Sequence, residues 1–243
     1  MTDAGVEPDD RVLEVGAGLG SLTVALAEAR CRVVALEVDP RVAEVLREVV
    51  FGYPNVEVRV EDAMRTDWAS LLGRDPWAMV SNLPYNVSVP LLLELLQTVP
   101  AIDRYLVMVQ REVGERLVAE PGSEAYGAVS VRVAYRAEAR IVRRVAAEVF
   151  WPRPKVDSVL VRIFAKPPIV DADPNALFAV VEEGFAERRK TMANALRRLG
   201  LSSVRAAGVL HDAGLEPNTR AERLSLDDFA RVTGAMLDEG WSA

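Results

Sequence analysis

The stretch that decides the fold is VLEVGAGLGSLT, residues 12–23, read together with VVALEVDP at 33–40. Arg11–Gly16 is a short apolar strand, and three glycines at Gly16, Gly18 and Gly20 then open a helical stretch over Leu19–Arg30. A plain strand-to-helix turn needs one glycine. Three at alternate positions let the backbone turn sharply and approach a ligand closely, beside the free N–H groups of a helix N-terminus. The spacing is G-x-G-x-G, not the G-x-G-x-x-G of dinucleotide enzymes. Arg32–Val38 is the second strand, and Glu37 ends it 21 residues after Gly16. A carboxylate there accepts hydrogen bonds from the two vicinal hydroxyls of a ribose.

Working outward, strands alternate with helices. Asp39-Pro40 is an N-cap followed by proline at the first helical position, opening a helix to about Val50. Asn55–Val60 is the third strand, ending at Glu61 and Asp62, where Asp62 is placed to bond an adenine amino group. Trp77–Ser81 is the fourth strand, Ser88–Val99 a helix, Arg104–Gln110 the fifth strand and Glu112–Glu120 a helix. This alternation implies a parallel sheet with ligands at the strands' carboxyl ends. Tyr126–Tyr135 fits helix or strand, and Ala139–Val145 with Ser158–Phe164 reads as an antiparallel pair. After the linker at Lys166, helices are expected at about 174–187, 191–199, 202–213 and 225–239. Residues 1–167 are thus expected to form an α/β, Rossmann-like domain, and 168–243 a small helical one.

The three strand ends describe a site for an adenosine-bearing ligand. S-adenosylmethionine fits better than a nicotinamide dinucleotide, because the glycine loop carries no arginine or lysine for a pyrophosphate. The fourth strand leads into Asn82-Leu83-Pro84-Tyr85. The exocyclic nitrogen of adenine is a poor nucleophile because its lone pair is delocalised into the ring. The Asn82 side-chain oxygen and the Leu83 carbonyl can accept its two N–H hydrogens, which favours a tetrahedral nitrogen with its lone pair aimed at a sulfonium methyl. Pro84 stiffens this loop and Tyr85 offers a face to an extruded base. In FWPRPKVDS, residues 150–158, two prolines stiffen a loop in which Phe150 or Trp151 can clamp the base's other face, with Arg153 and Lys155 for phosphates.

These motifs resemble the KsgA/RsmA family of small-subunit ribosomal RNA adenine dimethyltransferases, relatives of the erythromycin-resistance methylases of large-subunit RNA. The resemblance is carried by 12–23, Glu37-x-Asp39, Glu61-Asp62-Ala63, NLPYNVSVP (82–90), MVQREVGERL (108–117), FWPRPKVDS (150–158) and FAERRKTMANAL (185–196). It implies a Rossmann-like methyltransferase with a helical second domain, and S-adenosylmethionine as donor. The substrate it implies is N6 of two adjacent adenines near the 3′ end of 16S ribosomal RNA, within the 30S subunit or its precursor. By motif match, Gly16, Glu37, Asp62 and Asn82 hold the donor, with Gly18 in the same loop. Asn82 to Tyr85 and Phe150 hold the target adenine. The tail motif, and NLPY without isoleucine, favour the small-subunit branch over a 23S methylase of the macrolide-resistance type or a non-catalytic assembly or transcription factor. One departure stands out. Family members carry a few dozen residues before the glycine loop, including a Gly-Gln-Asn/His-Phe-Leu-like motif, whereas eleven residues lacking that motif precede Val12 here.

Composition narrows the classes further. The chain has 243 residues, half of them hydrophobic, and a formal charge of −7. The single cysteine, Cys31, excludes a disulfide framework, and the single histidine, His211, argues against a histidine-based metal centre. No metal is expected. No apolar run approaches a membrane span, and the first ten residues lack signal-peptide character, so a soluble, cytoplasmic protein is expected; a monomer is expected as well. The acidic total argues against nucleic acid on its face. Yet residues 136–166 hold eight basic and three acidic side chains, and residues 184–205 hold six and one. Arg188, Arg189, Lys190 and Arg197 in the second stretch join Arg153 and Lys155 as the expected RNA contacts.

Overall fold

The computed structural model describes residues 3–242. Its first half alternates as the patterning predicts: β1 (Arg11–Val15), α1 (Ser21–Glu28), β2 (Arg32–Glu37), α2 (Pro40–Val49), β3 (Val56–Val60), α3 (Trp68–Leu72), β4 (Trp77–Asn82), α4 (Ser88–Thr98), β5 (Ile102–Gln110) and α5 (Arg111–Leu117). Then come α6 (Ala128–Arg136), β6 (Ala137–Val145), β7 (Ser158–Ala165), α7 (Pro174–Ala186), α8 (Met192–Arg198), α9 (Ser203–Asp212) and α10 (Leu226–Asp238). The ambiguous segment at 126–135 is therefore resolved as helix.

The caps explain where several helices begin. The Asp39 carboxylate accepts from Arg41 N–H at 2.9 Å, with Pro40 following it. Asp173 accepts from Ala176 N–H at 2.8 Å, again ahead of a proline. Ser225 and Asp228 form a reciprocal capping box at α10. Short α3, capped by Asp67, has no periodic apolar pattern in the sequence and was not expected.

Seven strands form one sheet in the order β3-β2-β1-β4-β5-β7-β6. β1 to β5 run parallel, and β7 pairs antiparallel with both β5 and β6. The antiparallel pair of the sequence reading thus extends the parallel sheet through β7. Strand order reverses between β1 and β4, so the crevice for a ligand lies beyond the carboxyl ends of these two strands. Their ladder covers only Val12↔Ala78 and Leu13↔Met79. Beyond it, the Val15 N–H donates to Ser81 Oγ at 2.9 Å, a buried side-chain bond standing in for the lost ladder bond as the strands part. Val12, Val33, Ala35, Ala78 and Val80 pack with Leu26 of α1 and Leu46 of α2 in one buried cluster.

The chain divides into two compact units, 3–115 with 137–166, and 116–136 with 167–242. The sequence reading placed 1–167 in the first domain, whereas the structure assigns 116–136 to the helical unit. The reason is apolar packing. Tyr126, Val131 and Tyr135 are buried among Leu177, Phe178, Phe229 and Val232 of the tail helices. The Tyr135 ring meets Phe178 edge-on at 5.3 Å, and the Tyr126 hydroxyl donates to the Leu224 carbonyl at 2.7 Å.

Candidate active site

The glycine loop is folded over the end of β2. The N–H groups of Gly16 and Ala17 both donate to the Leu36 carbonyl, at 2.9 and 3.2 Å. Gly16 has φ +72°, and a Cβ there would stand 3.0 Å from the Pro84 ring. Gly20, at φ +90°, has no room either, since a Cβ would lie 2.6 Å from Leu46. A side chain is therefore strained by the backbone at both positions and crowded as well, at Gly16 by the Pro84 ring and at Gly20 by the movable end of Leu46.

Glu37 is buried at the end of β2, and both of its carboxylate oxygens have partners. Oε2 accepts from Gly18 N–H at 2.9 Å, and Oε1 from Asp39 N–H at 3.0 Å. Gly18 is thus placed in the loop by Glu37, and each carboxylate oxygen keeps a second lone pair. Asp62 is exposed. Its Oδ1 accepts from Met64 N–H at 3.0 Å, which orients the carboxylate at the strand end.

Between these ends lies a cavity of about 300 Å³, lined by Val15, Gly16, Leu36, Val38, Glu61, Asp62, Ala63, Met64, Pro84, Asn86 and Val87. Apolar walls with a carboxylate on the rim suit an adenosyl group, flat and apolar in body with hydrogen-bonding edges. The absent side chain of Gly16 leaves the backbone accessible there, so the residues present fit S-adenosylmethionine.

A second cavity of about 320 Å³ is lined by Asn82, Leu83, Pro84, Tyr85, Phe150, Trp151, Pro152 and Pro154. Every residue expected to hold the target base is here. Pro84 belongs to both cavities and forms the wall they share. The Asn82 amide is exposed with no side-chain hydrogen bond among the described residues, and the Leu83 carbonyl likewise accepts none. Tyr85 is fixed by its hydroxyl, 3.3 Å from the buried Ser158 Oγ. Asp157 closes the base of the 150–155 loop: its Oδ1 accepts from Ala147 N–H at 3.1 Å and its carbonyl from Arg111 N–H at 2.9 Å.

Sequence reasoning did not single out Ser81, Ser158, Asp157 or Glu14. A serine ending the apolar run of β4 was the one available signal for Ser81. Glu14 faces the α1 side of the sheet, and burial pushes its carboxyl up to about 7, with the Thr23 hydroxyl pulling it back down.

The expected RNA contacts divide unevenly. Lys155 is exposed with no ion pair among the described residues, while Arg153 is tied to Glu148. In the helical unit, Arg189, Lys190 and Arg197 are exposed and without ion pairs among the described residues. Arg188 instead donates to the Glu124 and Tyr126 carbonyls at 2.8 and 3.1 Å, pinning the segment before α6. Arg198 is paired with Glu183 and Glu187, and Arg205 with Glu239. The excess charge counted along 184–205 is therefore partly cancelled by acids outside that window. Of the remaining cations, Lys190 and Arg197 border a cleft of about 500 Å³ with Asn194 and Ser202 among others, and Arg189 does not.

The fold is similar to that of a dimethyladenosine transferase from Plasmodium falciparum, at a TM-score of 0.83 and 25% identity, covering 98% of this chain and 94% of the other. It is similar also to the 23S rRNA methyltransferase ErmE, at 0.71 and 27%, covering 96% and 93%. Fold and site together define a methyltransferase that uses S-adenosylmethionine. The family model described as ribosomal RNA adenine dimethylase matches residues 1–236, and the chain belongs to that family. Relatives named ribosomal RNA small subunit methyltransferase A are 45% identical in Thermobifida fusca and 47% in Kineococcus radiotolerans. The two alignments cover 94% of this chain and 81% and 77% of those proteins.

Proposed function

We propose that this chain methylates N6 of two adjacent adenines near the 3′ end of 16S ribosomal RNA, in the 30S subunit or its precursor, as a cytoplasmic monomer. The observation that carries the reading is the shared wall at Pro84. It brings a cavity suited to the donor and a cavity suited to a base together at Asn82–Tyr85. The similarity to relatives named small subunit methyltransferase A supports the choice of RNA.

S-adenosylmethionine, when bound, supplies an electrophilic methyl on a sulfonium. Gly16, Gly18, Glu37, Asp62 and Asn82 hold it, Glu37 through the lone pairs left free by the Gly18 and Asp39 bonds. Phe150 and Tyr85 enclose the extruded adenine. The Asn82 amide oxygen and the Leu83 carbonyl accept its two N6 hydrogens and turn the lone pair out of the ring plane. An amide and a carbonyl are too weakly basic to keep a proton, so the proton lost from N6 after transfer leaves to water. After one transfer a single N–H remains, and one acceptor suffices for the second. Acceleration comes from positioning and from dipoles fixed before the reaction. The uncommitted cations Lys155, Arg189, Lys190 and Arg197 meet RNA phosphates.

The test is incubation with labelled S-adenosylmethionine and 30S subunits lacking the modification. Label is expected in the 3′-terminal fragment of 16S RNA. Label in 23S RNA instead would establish the resistance-type activity, and subunit binding without label an assembly role. Asn82→Ala is expected to lower kcat by about 10³-fold, the scale seen when a fixed transition-state donor or acceptor is removed, while subunit binding persists.

A further inference from the structure

We propose that the Trp151 indole stacks the nucleobase adjacent to the target adenine, holding that neighbour at the mouth of the reaction cavity while the target is inside. The inference rests on the reading above and concerns the next nucleotide, which no residue discussed so far receives.

The first observation is exposure. Trp151 is 97% exposed, whereas Trp68 and Trp77 are buried at 6% and 7%. Trp241 is partly buried and donates its indole N–H to the Leu199 carbonyl at 3.0 Å. A wholly exposed indole has its full apolar face available to a ligand, and burying so large a face is among the strongest single gains in binding.

The second is position. Trp151 borders the cavity formed by Asn82–Tyr85 and Phe150. Phe150 is half-buried and so serves as a wall, whereas a ring 97% exposed stands at the rim. A base drawn into the cavity loses its stacked neighbours, and the nearest of them is one nucleotide away, at that rim. A planar aromatic there replaces the stack that extrusion breaks.

The third is rigidity. The indole sits on an arch stiffened by Pro152 and Pro154. The arch is tied at its foot by Phe150 N–H to the Ala147 carbonyl at 3.3 Å and by Ala147 N–H to Asp157 Oδ1 at 3.1 Å. A mount whose backbone is fixed before binding loses less entropy on contact, leaving only the indole's own two torsions to be ordered.

The fourth is charge. Lys155 lies four residues further on the same arch, exposed and without an ion pair among the described residues, and a phosphate beside the stacked base would meet it. Aromatic face, stiff mount and adjacent cation are the recurring parts of a single-strand platform. Because every base has a π-face, this contact takes any base but favours a purine. It thereby suits the two adjacent adenines of the proposed substrate, each serving as the other's stacked neighbour in turn.

The experiment measures steady-state kinetics of Trp151→Ala, Trp151→Phe and Trp151→Leu on unmodified 30S subunits. A parallel series uses subunits whose 16S RNA carries uracil in place of the neighbouring adenine. Each base–aromatic stack is worth about one decade in affinity. Trp151→Ala should therefore raise KM for the subunit roughly tenfold with donor affinity and Tm unchanged, and Trp151→Phe should recover most of the loss. Trp151→Leu should behave as alanine does. The uracil substitution should raise KM severalfold for the parent enzyme and not further for Trp151→Ala. Unchanged kinetics of Trp151→Ala on 16S RNA would overturn the inference and leave the proposed function standing. So would full rescue by leucine, which would indicate a protein contact, or additive effects of the two changes. Failure of the parent enzyme to label 16S RNA would remove both.

Discussion

Gly16 and Pro84 touch across the switch between β1 and β4. A methyl group on Gly16 would stand 3.0 Å from both Cδ and Cγ of the Pro84 ring. The glycine loop and the Asn82–Tyr85 loop are therefore closely packed at this point, where the proposed donor and base sites meet. Gly16→Ala adds that clash to the strain of an L-residue at φ +72°, itself about 1–2 kcal/mol. Gly18→Ala, at φ +56° with open space around it, incurs the strain alone. Gly16→Ala is expected to weaken donor binding more than tenfold and to lower Tm further than Gly18→Ala does. Calorimetry with S-adenosylmethionine and thermal melts of both variants check this.

Glu37 holds the loop as well as the proposed ribose. Removing its carboxylate leaves the N–H groups of Gly18 and Asp39 without their acceptor, at about 1–3 kcal/mol each where they stay buried. Glu37→Ala is expected to weaken the donor at least tenfold and to lower Tm by several degrees. Glu37→Gln keeps one acceptor and should fall between. Unchanged donor affinity in the alanine variant would refute the ribose assignment.

Glu14 gives a pH dependence with a definite sign. Its carboxyl titrates near 7 in the fold against an ordinary 4.5, with burial as the main cause. Between those values the folded chain binds the proton more tightly than the unfolded chain, so this group's contribution to stability is complete below about 4.5. It is lost as pH rises toward 7 and constant above. The full change is roughly 3 kcal/mol at most, from 1.36 kcal/mol per unit. Glu14→Gln should abolish this slope, so that the parent loses stability relative to the variant across that window. Denaturant melts of both proteins from pH 4.5 to 8 measure it.

The helical unit separates free cations from committed ones. Lys190→Ala and Arg197→Ala should each lower the slope of log K against log salt for subunit binding by about one, with little change in Tm. Arg198→Ala removes a guanidinium already paired with Glu183 and Glu187, so the salt slope should stay nearly constant. Filter binding over a salt series distinguishes the three.

Much of this arrangement is legible in the residues themselves. The glycines, Glu37 and Asp62 mark successive strand ends, which parallel strands deliver to one side of a sheet; Gly16 and Asp62 line one cavity there, and Glu37 lies behind it, bonded to Gly18. The caps at Asp39, Asp173 and Ser225 are local chemistry and therefore readable. Long-range relations are not. Nothing in Ser81 alone announces the bond to Val15, nor in Ser158 the bond to Tyr85, because each partner is more than sixty residues away. Charge counting misjudged the tail for the same reason, since Arg205 is matched by Glu239, which lies 34 residues beyond it. Residues 116–136 were placed with the wrong unit because the apolar spacing of a helix shows that it has a buried face and says nothing of which core receives it.

That last assignment bears on how the protein is made. The polypeptide enters the helical unit at 116, returns to the sheet at 137 and leaves it again at 167. Neither unit is a continuous length of chain, so a ribosome completes the sheet only after the first piece of its neighbour has already emerged. Until the tail follows, Tyr126, Val131 and Tyr135 have no core to enter, so the apolar face of α6 stays uncovered during synthesis. A cut at 167 would reproduce that condition permanently: the amino-terminal fragment would carry an orphaned apolar helix, and the carboxy-terminal fragment a core with one helix missing.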